Sequence, residues 1–107
     1  MIQTPLILTN NGKGLRMSCA AVSSRAALVG TGDSLCISNL NGFAIYVVLG
    51  GSTIEADLTG FPILPGTKED NIVLDAEKHA AFYANPYIAV ICESGLSGYL
   101  SVHRVSR

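Results

Sequence analysis

Tryptophan is absent from this 107-residue chain, charged residues make up only 14%, and there are just two histidines, His79 and His103. Each shortage narrows what the protein can do. Without tryptophan, a sugar-stacking platform would have to come from the four tyrosines. Seven Lys and Arg against eight Asp and Glu leave a net charge of −1, with no basic block to follow a phosphate backbone, so nucleic acid is not an expected partner. No apolar run approaches the roughly 18 to 20 residues that span a bilayer, so no membrane partner is expected either. The opening MIQTPLILTNN has neither a basic region nor an apolar stretch of signal-peptide length, and export by that route is not expected. Cys19, Cys36 and Cys92 are an odd number scattered among apolar neighbours. They read as small buried thiols of a reducing compartment rather than as a disulfide framework.

Catalytic and metal-binding patterns are equally scarce. Asp75 and His79 stand four apart, a spacing that allows contact on a helix, but no G-x-S-x-G or equivalent places a nucleophile beside them. The cysteines and histidines lack the close paired spacings of zinc sites. GTGDSL lacks the third glycine of a phosphate-binding fingerprint, and no helix follows it. Glu55 and Asp57 read as solvated edge charges on a short extended piece. LPGT has Lys68 where a sorting signal would carry glycine, and reads as a turn. No catalytic, cofactor-binding or metal-binding residue is therefore assigned, and an enzyme is not expected.

What is present is strand signal. Hydrophobic residues reach 49% with a mean hydropathy of +0.40, and glycine-bearing turns recur every eight to twelve residues or so. The expectation is one domain over residues 1–107, with 1–14 as an extended N-terminal arm, folded as an all-β antiparallel sandwich or jelly-roll-like barrel with one short helical segment at 75–83. Strands are expected at Leu6 to Thr9 and Ser34 to Leu40, and Leu15 to Val22 and Arg25 to Val29 read as two strands or as one strand bent at Ser23 and Ser24. Others should follow at 43–49, Thr53 to Leu58, Phe61 to Leu64, Asn71 to Leu74, Tyr87 to Cys92 and Tyr99 to Val105. Asn41-Gly42 suits a type I′ turn, so 34–40 is expected to pair with 43–49 as a hairpin. Leu64-Pro65-Gly66-Thr67 suits a type II turn, and Glu93 to Gly98 a glycine-rich hairpin turn.

The stretch FAIYVVLGG, residues 43–51, poses the main question, because it is apolar on both faces of a strand. If Phe43, Ile45, Val47 and Leu49 enter the core, then Ala44, Tyr46 and Val48 face something else that is dry. Together with Tyr87 they are the expected interface residues. Alternatively, the 75–83 helix packs over that second face.

In order, GDSLCISN, AIYVVLGG, FPILPGT, PYIAVICESG and YLSVHRV resemble a group of small β-structured virion proteins of tailed bacteriophages and prophages, over roughly Val22 to Val105. The segment DAEKHAAFYANP departs from that outline. The resemblance implies a structural part of the particle: a head decoration or cement protein, or a neck or tail component. It implies partners among the major capsid protein or other virion proteins, homo-oligomerisation, and location in the virion after assembly in the host cytoplasm. A carbohydrate- or receptor-binding sandwich using Tyr46, Tyr83, Tyr87 and Tyr99 is the alternative.

Overall fold

A computed structural model describes residues 7–8, 10–73 and 86–106. The expected helix at 75–83, with His79 and Tyr83, lies outside these residues. The described residues form two antiparallel sheets. One is five-stranded and contains β1 (Ile7–Leu8), β2 (Leu15–Cys19), β4 (Ser34–Asn39), β7 (Thr67–Val73) and β9 (Gly98–Ser106). Its order is β1-β9-β4-β7, with β2 also against β9: β1 meets Val105 and Ser106, and β2 meets 98–102. The other is four-stranded, β3-β8-β5-β6, from β3 (Ser24–Ala27), β5 (Ile45–Gly50), β6 (Phe61–Ile63) and β8 (Tyr87–Ile91).

Alternation along the strands builds the core. Met17, Cys19, Leu35, Ile37, Leu100 and Val102 come from the five-stranded sheet. Ile45, Val47, Ile63, Ile88, Val90 and Cys92 meet them from the four-stranded sheet. Leu35 and Ile37 are buried while Cys36 and Ser38 are half-exposed, as their spacing predicts. β7 carries a bulge: Leu35 pairs with Ile72, but Ile37 pairs with Glu69, so the register slips by one opposite Cys36.

The ladders are nested. β5 pairs with β6, β4 with β7, β3 with β8, and β2 with β9. Two further ladders, β9 with β4 and β8 with β5, join these pairs into sheets. Among the described residues from β2 onward, β5 and β6 are the one pair of successive strands lying in the same sheet.

This topology overturns two expected hairpins. Ser34–Asn39 and Ile45–Gly50 lie in opposite sheets, and neither Asn41 nor Gly42 adopts the positive φ of a type I′ turn. The reason lies in Asn39, whose buried amide donates to Phe43 O at 2.9 Å and Ile63 O at 2.8 Å. Its Oδ1 accepts from the Asn41 backbone N–H at 3.0 Å and from Asn41 Nδ2 at 2.9 Å. The chain is thereby turned across the core instead of back along its own sheet. Residues 93–98 likewise link β8 of one sheet to β9 of the other; the turn is present, with Leu96 N–H donating to Glu93 O at 3.2 Å and Gly95 at φ 85°, but it closes no hairpin.

Other local expectations fare better. Thr67 N–H donates to Leu64 O at 3.3 Å with Gly66 at φ 67°, the geometry of a type II turn. The strand expected at Asn71 begins earlier, directly after that turn. Residues 53–58 form no strand and belong to a loop.

Candidate interaction surfaces

The register of the four-stranded sheet puts Tyr46, Val48, Tyr87, Ala89, Ile91, Arg25, Ala27 and Pro62 on its outer face. Tyr46 pairs with both Ile91 and Pro62, and Val48 with Ala89. Of the four expected interface residues, Tyr46, Val48 and Tyr87 thus share one face. Ala44, just before β5, precedes them on the same alternation, and all four are half-buried. The opposite positions divide: Ile45 and Val47 are buried, whereas Phe43 and Leu49 are partly buried against the core.

Ala89 is fully buried although it points outward, so this face has a cover. Residues 51–60 supply it. Arg25 Nη1 donates to Ile54 O at 3.5 Å, and Ala56 N–H donates to Ser23 Oγ at 2.8 Å, tying the loop to the β3 edge. Ala56 is buried. A Cβ on Gly50 would stand 2.1 Å from Ile54 Cγ2, and one on Gly60 would stand 2.9 Å from Val47 O. The two glycines let the loop leave and rejoin the sheet at close range. Gly50→Ala is therefore expected to displace Ile54 and cost about 1 to 3 kcal/mol in a denaturant melt, with faster proteolysis within 51–60.

Beyond this cover, large apolar side chains are exposed along β6 and its ends. Leu58 is 51% exposed, Phe61 53% and Leu64 54%, and Leu40, beside the Asn39 arch, is 86% exposed. Sequence reasoning assigned these residues no role, although FPILPG shows a cluster of apolar residues packed around two prolines. Phe61 also stands at an apolar pocket of about 250 Å³ between the sheets, with Ile37, Val47, Leu49 and Ile72. Pro62 has no N–H to offer, and β7 carries Lys68, Glu69 and Asp70, with Lys68 Nζ 4.0 Å from the Asp70 carboxylate. Both features discourage strand addition at these edges.

The outer face of the five-stranded sheet is polar. Arg16, Ser101, Ser38 and Lys68 form one cross-strand row, beside the pairs Ser18–Tyr99 and Cys36–His103. Arg16 Cζ lies 4.0 Å from the centre of the half-exposed Tyr99 ring. Asn41 Nδ2 donates to Tyr99 O at 2.6 Å and holds that strand end to the arch.

The remaining chemical candidates resolve as structure. Asp57 accepts hydrogen bonds from the Thr59 hydroxyl and, at 2.8 Å, from its N–H; the hydroxyl first and the N–H second hold the carboxyl below its ordinary range. It caps a turn closed by Gly60 N–H to Asp57 O at 3.1 Å, and Glu55 is exposed. No cluster of three or more His, Cys, Asp or Glu that could hold a metal occurs among the described residues. No helix among them is long and apolar enough to cross a membrane.

Cys19 and Cys92 are buried together in the core, while Cys36 is half-buried. Burial first, and then the Cys92 thiol, push the Cys19 thiol from 9.0 up to about 11. The neutral form is the one the fold favours. Its contribution to stability is complete below pH 9 and is lost as pH rises toward 11. Denaturant midpoints are accordingly expected to fall across that window, and to fall less in a Cys19→Ala variant.

Comparison with protein-family models, curated proteins and solved structures finds no match to this chain.

Proposed function

We propose that this chain is a structural protein of a tailed-bacteriophage particle, a head decoration or cement protein that binds the major capsid lattice through apolar surface. The observation that carries this reading is the continuity of that surface. It runs from half-buried Tyr46 and Val48 on β5 to exposed Pro62 opposite Tyr46 and to exposed Leu64 two residues on, while exposed Leu58 precedes β6 and Phe61, on the opposite alternation, is exposed at the mouth of the inter-sheet pocket. Apolar patches of this kind mark partner surfaces on small proteins. The fold adds support. Counting β1 and β2 as one position, the nested ladders pair positions 1–8, 2–7, 3–6 and 4–5, the order of a rolled eight-strand ribbon. We read this as a jelly roll, an architecture used in viral capsids as well as lectins and cupins. Assembly in the host cytoplasm suits the chain's three thiols, and a symmetric homo-oligomer is the expected form.

Mass spectrometry of particles purified from the phage or induced prophage encoding the chain tests this proposal. Hundreds of copies per particle are expected for decoration; about a dozen would assign it instead to a neck or tail ring. Absence from the particle would end the proposal. A second reading, a carbohydrate- or receptor-binding module, draws on the Arg16–Tyr99 stack amid Ser18, Ser38 and Ser101 on the polar face. A glycan array on which the wild type binds and Tyr99→Ala does not would favour it.

A further inference from the structure

We infer that Cys19 and Cys92 form a site for an inter-sheet disulfide, made by exchange with a small disulfide oxidant such as oxidised glutathione. Cys19 ends β2 of the five-stranded sheet, and Cys92 follows β8 of the four-stranded sheet, so the two thiols enter one core from opposite sides. Their backbones are already joined: Cys92 N–H donates to Ala20 O at 2.9 Å. The side chains belong to the same buried cluster, and the Cys92 thiol is among the groups that push the Cys19 thiol up. Cys92 Sγ also donates to Leu96 O at 3.3 Å, at the exposed turn that covers it. A main-chain bond from Cys92 to the residue after Cys19 holds the two backbones side by side, and two buried thiols on adjacent backbones are the arrangement from which a disulfide can form.

The chemistry is a two-step exchange. Opening of the 93–97 turn exposes Cys92, whose thiolate attacks one sulfur of oxidised glutathione and expels a glutathione thiolate. Cys19 then loses its proton, attacks the Cys92 sulfur of the mixed disulfide and expels the second glutathione. Two protein thiols lose two electrons to become one disulfide. One oxidised glutathione gains them, and its two thiolates take up the two protons. Burial keeps the pair inert as thiols in a reducing compartment, and transfer to an oxidising medium converts it into a staple. The crosslink would span most of the chain, where constraint on the unfolded state is large. The inference does not depend on the virion reading, because it concerns the isolated protein.

The test uses the full chain, both unaltered and as Cys36→Ser to remove the third thiol. Each is unfolded in urea, then refolded to equilibrium in a glutathione redox buffer, alkylated under denaturing conditions and analysed by intact mass and peptide mapping. The expected product has lost the mass of two hydrogens and contains a peptide linking Cys19 to Cys92. Its melting temperature should be higher by roughly 5 to 10 °C, a gain reversed by dithiothreitol. Recovery of both thiols in alkylated form would overturn the inference, as would a Cys19–Cys92 disulfide that lowers the melting temperature.

Discussion

Asn39→Ala is expected to lower the unfolding free energy by about 3 to 5 kcal/mol, read as a fall in the urea midpoint at unchanged slope. The size follows from what the side chain does. Asn39 is fully buried, and its amide uses all four of its ordinary hydrogen-bonding positions. Two donors serve the carbonyls of Phe43 and Ile63; two acceptor positions serve the backbone and side chain of Asn41. Alanine takes a partner from the Phe43 and Ile63 carbonyls and from the Asn41 N–H where water has little access, while Asn41 Nδ2 keeps its bond to Tyr99 O; each buried orphan costs about 1 to 3 kcal/mol. Asn39→Asp should do no better at neutral pH, since it keeps the acceptors but turns a carboxylate toward two carbonyl oxygens. Gly98→Ala should cost less, in the same direction, because its Cβ would stand 2.3 Å from Asn41 Oδ1 and dislodge the other half of the network. A near-neutral Asn39→Ala would show that the crossing between sheets is fixed by the core alone.

The same residue shows how far the sequence could be read. Alternation within strands was legible because it depends only on neighbours two apart: Leu35 and Ile37 face inward, and Ile45 and Val47 face inward beside half-buried Tyr46 and Val48. The Leu64–Thr67 turn was legible because proline and glycine each impose a local φ. Strand partnership was not. Asn-Gly favours a hairpin when nothing distant intervenes, but Asn39 bonds to Ile63, 24 residues away, and that contact leaves no mark in the local pattern.

The dry second face of residues 43–49 was recognised, but its cover was not. The loop over it is an irregular 51–60 segment whose signals, the bracketing glycines and the alternating Ile54 and Ala56, resemble those of an ordinary short strand. The exposed side chains around β6 were missed because exposure of a leucine or phenylalanine depends on where the sheet ends, which no local pattern records.

The second large effect separates core from interface within two adjacent residues. Ile45→Glu is expected to abolish cooperative folding, whereas Tyr46→Glu should leave a folded protein, within about 1 kcal/mol of wild type, that assembles poorly. Ile45 is fully buried opposite Ile63, so its replacement would place a carboxyl among aliphatic side chains with no designed partner. Ionised, that group pays a large desolvation cost; neutral, it still buries unsatisfied oxygens in a poorly fitting space. Losses of more than about 4 kcal/mol approach the whole stability of many domains, about 5 to 15 kcal/mol. Val47→Glu should fall between the two, because Val47 borders the 250 Å³ pocket, where a longer side chain finds room. Tyr46 lies on the outer face between Ile91 and Pro62, where a carboxylate reaches water in the free protein and loses it only when a partner covers the face. Circular dichroism melts read the first effect, and sedimentation or binding to particles lacking the protein reads the second. A folded Ile45→Glu with an unfolded Tyr46→Glu would mean that the two faces are exchanged. Unimpaired assembly by Tyr46→Glu would move the contact off β5 and onto the exposed side chains of Leu58 and Leu64, where the same charge substitution can be made away from the pocket that Phe61 borders.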